Sequence, residues 1–292
     1  LTERVSRTIR AEAGTWLDVA NISGDIDLSV GSGRDIVIDA VKRARGRDGR
    51  ARQLLDTVSV DIVEGPGRIE VRTVYPRGGE RRGSAWVDYT VRVPADISVN
   101  LKSVSGDIRA NSLKGELRLE SVSGDVTVGR AGRLSFVRSV SGDVLLTDVT
   151  SPEDLTAGSV SGSFIARGLD ARILDVSTVS GDLLLDRVRC ERAEVRSVSG
   201  TVEYVGALVE RGRYEFNAHS GDVRLGISSG VGFQYDVSTF SGALHAGWPT
   251  ESAGQGTPAR RRDARSIRGT VGNGSARVLI RTFSGDVALT PR

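Results

Sequence analysis

The sequence predicts an all-β chain: a β-solenoid, or β-helix-like stack, of turns of roughly 19–21 residues, entered through a less regular β-rich N-terminal region. Three observations predict it. The phrase Ser-Gly-Asp plus an apolar residue recurs at Gly24, Gly106, Gly124, Gly142, Gly181, Gly221 and Gly285, with degenerate copies at Gly162 (Ser-Gly-Ser), Gly200 (Ser-Gly-Thr) and Gly242 (Ser-Gly-Ala). From Gly106 to Gly242 neighbouring copies lie 18 to 21 residues apart. Apolar residues flank every copy at a spacing of two, the strand period.

Aligned on the phrase, the copies form columns. Five residues before each corner's lead residue stand Leu17, Val99, Leu117, Ser135, Leu155 and Leu174; three before it stand Val19, Leu101, Leu119, Val137 and Val176. The lead column itself, the residue before Ser-Gly, reads Ile22, Val104, Val122, Val140, Val160, Val179, Val198, His219, Phe240 and Phe283. Four residues later come Ile26, Ile108, Val126, Val144, Phe164, Leu183, Val202, Val223, Leu244 and Val287. These are the thin aliphatic columns a stacked coil buries, and Thr127, Arg196, Glu203 and Arg224 lie between them. The arms before and after Ser-Gly-Asp differ in phase, so the chain must bend there. Glycine supplies the backbone freedom, and Ser or Asp bonds the local backbone. A leucine-rich repeat would need Leu-x-x-Leu-x-Leu and an Asn ladder, which are absent, and the density of β-branched residues and glycines opposes helical repeats.

Residues 97–292 are read as the regular solenoid and residues 1–96 as its irregular β-rich first part or cap. Within the latter, strand-like segments fall at 15–22, 35–41, 57–63, 68–74 and 85–93, and residues 50–56 suit a short helix turn. The Arg/Gly-rich stretches 42–52 and 76–84 are expected to be solvated loops. Residues 247–269, with Pro249, Pro258 and Arg260-Arg261-Arg262, read as a loop inserted in the penultimate turn, which explains the 43 residues between Gly242 and Gly285. The final turn, Val278 to Leu289, is expected to close the stack.

These residues resemble the bacterial "putative adhesin" domain family, domains of unknown function with a repeated Ser-Gly-Asp-(Ile/Val) phrase. The lead-in Val87 to Pro94, the first regular copy Val104 to Ile108 and the closing segment Arg281 to Val287 carry the resemblance. It implies a β-helix-like solenoid outside the cytoplasm, periplasmic, surface-exposed or secreted, at the bacterial envelope, and it brings no catalytic residues. Methionine is absent, including at position 1, so a leader is presumed to have been removed. No apolar run long enough to cross a membrane as a helix occurs in the sequence.

The formal net charge of +3 is far from the surplus expected of a nucleic-acid-binding domain. A single cysteine, Cys190, excludes an internal disulfide and stands at no metal-ligand spacing, so neither a metal nor a cofactor is implied. Asp107, Asp125 and Asp143 fall on successive turns, about 5 Å apart if stacked, a separation that suits a carboxylate pair or Ca²⁺. They are read instead as solvated corner residues, because Ser163, Thr201 and Ala243 replace Asp without loss of the turn. The Ser column (Ser105, Ser123, Ser141, Ser161, Ser180, Ser199) lacks a positioned base. His219 and His245 belong to adjacent copies, which allows them to lie on neighbouring turns, without a recognisable third group. Gly31-Ser-Gly33 and Gly272-Asn-Gly274 are too short for a phosphate loop, and Asn21 and Asn273, although in glycosylation patterns, read as turn residues.

The candidate contacts are the arginines of the two loops: Arg43, Arg45 and Arg47, and Arg260, Arg261, Arg262 and Arg265. Loops leaving a rigid scaffold suit contact with an anionic surface, an envelope polymer or a partner protein. The sequence thus favours a non-catalytic binding or scaffold module of the cell envelope. A carbohydrate-active β-helix enzyme and a self-assembling filament are the alternatives.

Overall fold

The computed structural model describes residues 1–46, 49–75, 84–228, 230–248 and 265–292, the last segment beginning with the backbone of Arg265. The chain is nearly all β and solenoid-like. It forms two compact units, Leu1–Gly142 and Asp143–Arg292. Each coil is named below by its corner glycine.

In the first unit the Gly24 coil comprises the strands Trp16–Ser23 and Ile26–Val30, the Gly106 coil Ser98–Ser105 and Ile108–Asn111, and the Gly124 coil Glu116–Ser123 and Val126–Gly129. They stack parallel with like positions opposite: Leu17 meets Val99, Val99 meets Leu117, Ile26 meets Ile108 and Ile108 meets Val126. Stacking in register buries these aliphatic columns completely. At Arg133–Ser141 a bulge shifts the register, so Leu134 fills the core column and Ser135 is displaced to bond Glu116 Oε1 at 2.8 Å. Ser135 therefore does not occupy the column that spacing alone gives it.

Outside the Gly24 coil lies a coil made by Arg68–Val74 and Ser84–Val93, parallel to it through Leu17–Ile69 and Ile26–Tyr89. Antiparallel strands cover this outer coil: Ser59–Gly65 pairs with Arg68–Val74, Asp35–Arg45 with Ser84–Val93, and Thr2–Arg10 with Asp35–Arg45. All five strand-like segments read from residues 1–96 are strands, and Arg50–Thr57 is a helix. The stretch 42–52 is not wholly a solvated loop. The strand runs on to Arg45, and Lys42 is buried, its Nζ 2.8 Å from Glu3 and within reach of the Leu55 and Val58 carbonyls at the helix end. An ammonium is tolerated there because it neutralises a carboxylate and terminal helix carbonyls together. The stretch 76–83 lies outside the described residues.

In the second unit Val144–Ser161, Phe164–Ser180 and Leu183–Ser199 stack parallel in register over nearly their whole lengths. The Gly221 coil, Arg213–Ser220 with Val223–Ser228, follows. The next coil in space is the last in sequence: Ala276–Ser284 and Val287–Pro291 lie on the Gly221 coil through Phe216–Ile280 and Val223–Val287. The Gly242 coil, Phe233–Ser241 with Leu244–Ala246, stacks on the far side of that final coil. The final turn therefore does not close the stack. Phe233–Ser241 lies one coil spacing further out than sequence order would place it, and the C-terminal segment fills the gap, paired on both edges. Arg265–Val271, read from sequence as part of a loop, is a strand antiparallel to Phe233–Ser241. Among the described residues no helix is long and apolar enough to cross a membrane.

Candidate functional site: an exposed apolar ladder at the glycine corners

The corner explains each residue of the repeated phrase. At Gly106 the backbone has φ +139°, and a Cβ there would collide with the carbonyl of Gly24 in the neighbouring coil. The same collision awaits a Cβ at Gly124, Gly142, Gly181, Gly200, Gly221, Gly242 and Gly285, each against the preceding corner glycine in space, and at Gly24 against Val87. Gly162 shares the corner geometry, its N–H donating to Ser180 O at 3.1 Å. All ten glycines singled out from the sequence are thus corner residues.

The aspartates are acceptors. Asp25 Oδ1 takes the N–H of Asp107 at 3.0 Å, and Asp107 Oδ1 takes that of Asp125 at 3.0 Å. The relay continues from Asp143 to Ser163, from Asp182 to Thr201, from Asp222 to Asp286 and from Asp286 to Ala243. Ala243 receives this bond and has no carboxylate to pass on, and its coil is the outermost of the parallel stack. Arginines occupy several of the second oxygens: Arg109 reaches Asp25, Asp27 and Asp107, which hold its guanidinium pKa above the ordinary value, and Arg224 reaches Asp222. Each carboxylate of this row thus gives one oxygen to the backbone of the next coil, and among the described residues no three His, Cys, Asp or Glu groups gather as metal ligands.

The lead column overturns the simplest reading of its apolarity. Strand alternation carries Val99, Leu101 and Ser103 inward, which sends Val104 outward. The inward place beside the glycine is small, and polar in every coil but the Gly221 coil, where it is Ala218. Asn21 bonds Gly24 O and Val87 O, both at 2.8 Å; Ser139 bonds Gly124 O at 3.1 Å; Thr239 bonds Gly285 O at 3.3 Å. Asn21 is accordingly a buried strand residue and not a turn, whereas Asn273 does accept the Ser275 N–H within its turn. The apolar lead residues face solvent instead. In the first unit these are Ile22, Val104, Val122 and Val140, joined at the same level by Val74 of the outer coil. In the second unit the rungs run Val160, Val179, Val198, His219, Phe283, Phe240, from half-buried at Val160 to 56% exposed at Phe240.

The aromatic rungs of the second unit stack. His219 lies on Phe283 with centroids 5.1 Å apart and planes within 10°, and Phe283 on Phe240 at 4.9 Å and 3°. This places the final coil between the two histidine-bearing coils, so His219 and His245 are not on neighbouring turns. Beside the ladder runs the serine row, Ser161, Ser180, Ser199, Ser220, Ser284 and Ser241, each opposite the next. No hydroxyl of this row has a hydrogen-bond partner among the described residues. Both columns stand out in the sequence, but apolarity alone assigns the lead column to the core and the serines to the corner.

Of the arginines proposed from sequence, Arg43 is bound to Asp88 at 3.0 Å and Arg45 ends its strand, exposed, opposite Ser84. Arg265 opens the strand Arg265–Val271, opposite Thr239. Arg47, Arg260, Arg261 and Arg262 lie outside the described residues. Cys190 is buried, and burial pushes its thiol up to about 12, which makes it inert.

The family model of the Toastrack DUF4097 domain matches residues 131–290, more than half of the chain. The chain belongs to the Toastrack DUF4097 family. No curated protein matches it. Solved structures similar to this Toastrack chain include a "putative adhesin" of Parabacteroides distasonis, at 11% identity and TM-score 0.49, covering 98% of this chain and 97% of that one. Another is a "putative adhesin" of Bacteroides fragilis, at 12% identity and TM-score 0.47, covering 98% and 96%. A "putative lipid binding protein" of Parabacteroides distasonis matches at 10% identity and TM-score 0.48, covering 99% and 96%.

Proposed function

We propose that this Toastrack chain is a non-catalytic, adhesin-like binding or scaffold module that works outside the cytoplasm at the bacterial envelope. The observation that carries the reading is the exposed apolar ladder. Six consecutive coils of the second unit each present an apolar or aromatic rung to water, with a row of free hydroxyls beside it. A contiguous exposed apolar strip of this kind marks a contact surface. Catalysis is disfavoured by the separation of the two histidines and by the commitment of the Asp row to the backbone. The loop arginines, Arg43, Arg45, Arg47, Arg260, Arg261, Arg262 and Arg265, are proposed as secondary, salt-sensitive contacts with an anionic polymer or surface.

Co-sedimentation with peptidoglycan, outer-membrane material and anionic vesicles tests the reading, at low and high salt. Binding to an envelope fraction is expected, lost in Phe240→Ser/Phe283→Ser. A salt-sensitive part is expected to disappear in a chain lacking residues 250–268. Absence of binding to every fraction would refute an envelope-binding role.

A further inference from the structure

We infer that the ladder of the second unit is a docking strip for a neutral, unbranched polysaccharide lying along the coil stack. The inference rests on the binding-module reading and names its ligand.

The strip is periodic, because its rungs inherit the strand spacing of a parallel stack, about 4.8 Å per coil, or about 24 Å from Val160 to Phe240. The rings of His219, Phe283 and Phe240 stack on one another and continue the exposed column of the valines. The result is a flat hydrocarbon strip one side chain wide. The serine row beside it supplies hydroxyls at the same period, free to donate and accept. Pyranose rings have the matching surface: C–H faces that pack on hydrocarbon, rimmed by hydroxyls. A β-1,4-linked chain is an extended ribbon, so successive sugars meet successive rungs.

Charge selects against an anionic ligand. The outward row on the strip's other side is Gly158, Ser177, Arg196, Asn217, Arg281 and Ser238. Arg196 is neutralised by Asp175 at 2.8 Å and by Glu194, leaving Arg281 as that row's unpaired cation among the described residues. Beyond the serines lie Asp182 and Asp286, which repel polyanions and anionic headgroups, and Asp222, which Arg224 neutralises at 2.8 Å. The area selects against a second copy of the chain. Six partly exposed rungs offer on the order of 400 Å², the size of the largest apolar patch on an ordinary monomer, which is often functional, and about half of the roughly 800 Å² each partner buries in a stable complex. A strip one residue wide, flanked by hydroxyls and carboxylates, also lacks the broad apolar face that enters a bilayer.

Isothermal titration of the full chain with cellohexaose, oligogalacturonate and neutral phosphatidylcholine vesicles tests the inference, with sedimentation equilibrium alongside. Saturable binding of cellohexaose is expected, and weaker binding of cellotriose, which spans fewer rungs. Phe240→Ser/Phe283→Ser is expected to weaken it about tenfold or more, and Ser180→Ala/Ser199→Ala by a smaller factor. Both pairs are solvent-facing, and unchanged thermal melting verifies the fold. The inference is overturned if cellohexaose does not bind, if neither double variant changes the affinity, or if the aromatic pair instead governs vesicle binding or dimerisation. Envelope co-sedimentation that persists without cellohexaose binding overturns the glycan alone; loss of both overturns the binding module as well.

Discussion

Gly106→Ala isolates the physical requirement that repeats along this chain. Gly106 has φ +139°, and its added Cβ would lie inside the van der Waals surface of the Gly24 carbonyl. The conformation alone costs a residue with a side chain about 1–3 kcal/mol. Relieving the overlap by moving a backbone paired on both edges adds about 1–3 kcal/mol more. Gly14 provides the control within the same unit: its φ is +78°, but a Cβ there meets nothing within 4 Å. Gly14→Ala should therefore cost only the left-handed penalty of about 1–2 kcal/mol. Urea unfolding of the two variants and the parent measures the difference. A gap of about 2 kcal/mol is expected, or about 1 M in the midpoint at an m-value of about 2 kcal/mol per M. Should the two variants unfold within about 0.3 M of each other at that slope, close stacking of corner backbones is not what selects glycine.

Three further outcomes follow from the same geometry. Asp107→Ala should strand the Asp125 N–H, cost about 1 kcal/mol and accelerate hydrogen exchange at Asp125, while Asp107→Asn, which keeps an acceptor, should lose less. Ser6→Ala should destabilise in a pH-dependent way: the Ser6 hydroxyl first, then the Arg4 and Arg92 guanidiniums, hold the Asp39 carboxyl below its ordinary range against the burial that raises it. A depressed folded-state pKa contributes stability fully above the unfolded value, about 3.9, and loses it as pH falls through the folded value, so the parent-minus-variant difference seen at about pH 6 should shrink at about pH 2. Because Arg277 lies between Arg213 and Gln234, Arg213→Cys/Arg277→Cys should oxidise to a disulfide, whereas Arg213→Cys/Gln234→Cys, two strand spacings apart, should remain reduced on non-reducing gels.

The columns headed by Leu101 and Ile108 were legible because a buried parallel stack repeats one aliphatic position per coil, and spacing alone exposes that. The outward lead column was written in the same letters, but apolarity by itself reads as burial. The signal that identifies it is phase: counting by two from Val99 through Leu101 reaches Ser103, not Val104. At Asn21, Ser139 and Thr239 the polar inward residue bonds a corner glycine carbonyl, whereas the buried hydroxyls of Ser103, Ser121, Thr178, Ser197 and Thr282 have no partner among the described residues, so that bond does not explain the whole column. The bulge at Ser135 had no sequence mark beyond one polar residue in an apolar column. The order of the last two coils was not legible at all. Parallel coils with the same Ser-Gly-Asp corner present the same edge, so sequence similarity cannot say which stacks on which. Ala243, with no carboxylate to offer a following coil, is a faint mark of the outermost position, but Ser163 and Thr201 lack the carboxylate too and lie inside the stack.

The displaced coils let antiparallel strands cover a parallel edge that a stack in sequence order would leave open. A parallel stack ends in a strand whose outer N–H and C=O groups are unpaired, a template for aggregation. In the first unit the outer strand Arg68–Val74 is covered by Ser59–Gly65, joined to it through the tight turn Gly65-Pro66-Gly67. In the second, Phe233–Ser241 is covered by Arg265–Val271. A covering strand must run antiparallel and come from nearby chain, so the coil it covers must itself be outermost. The remaining copy then has one place left, on the inner side of the covered coil. That is where the Gly24 coil lies in one unit and the Gly285 coil in the other, each paired on both edges. Covering the parallel edge and placing the first and last Ser-Gly-Asp copies between two coils are thus one topological choice. In the second unit it leaves the lead-column ladder as the surface on which the large exposed apolar side chains stand in register.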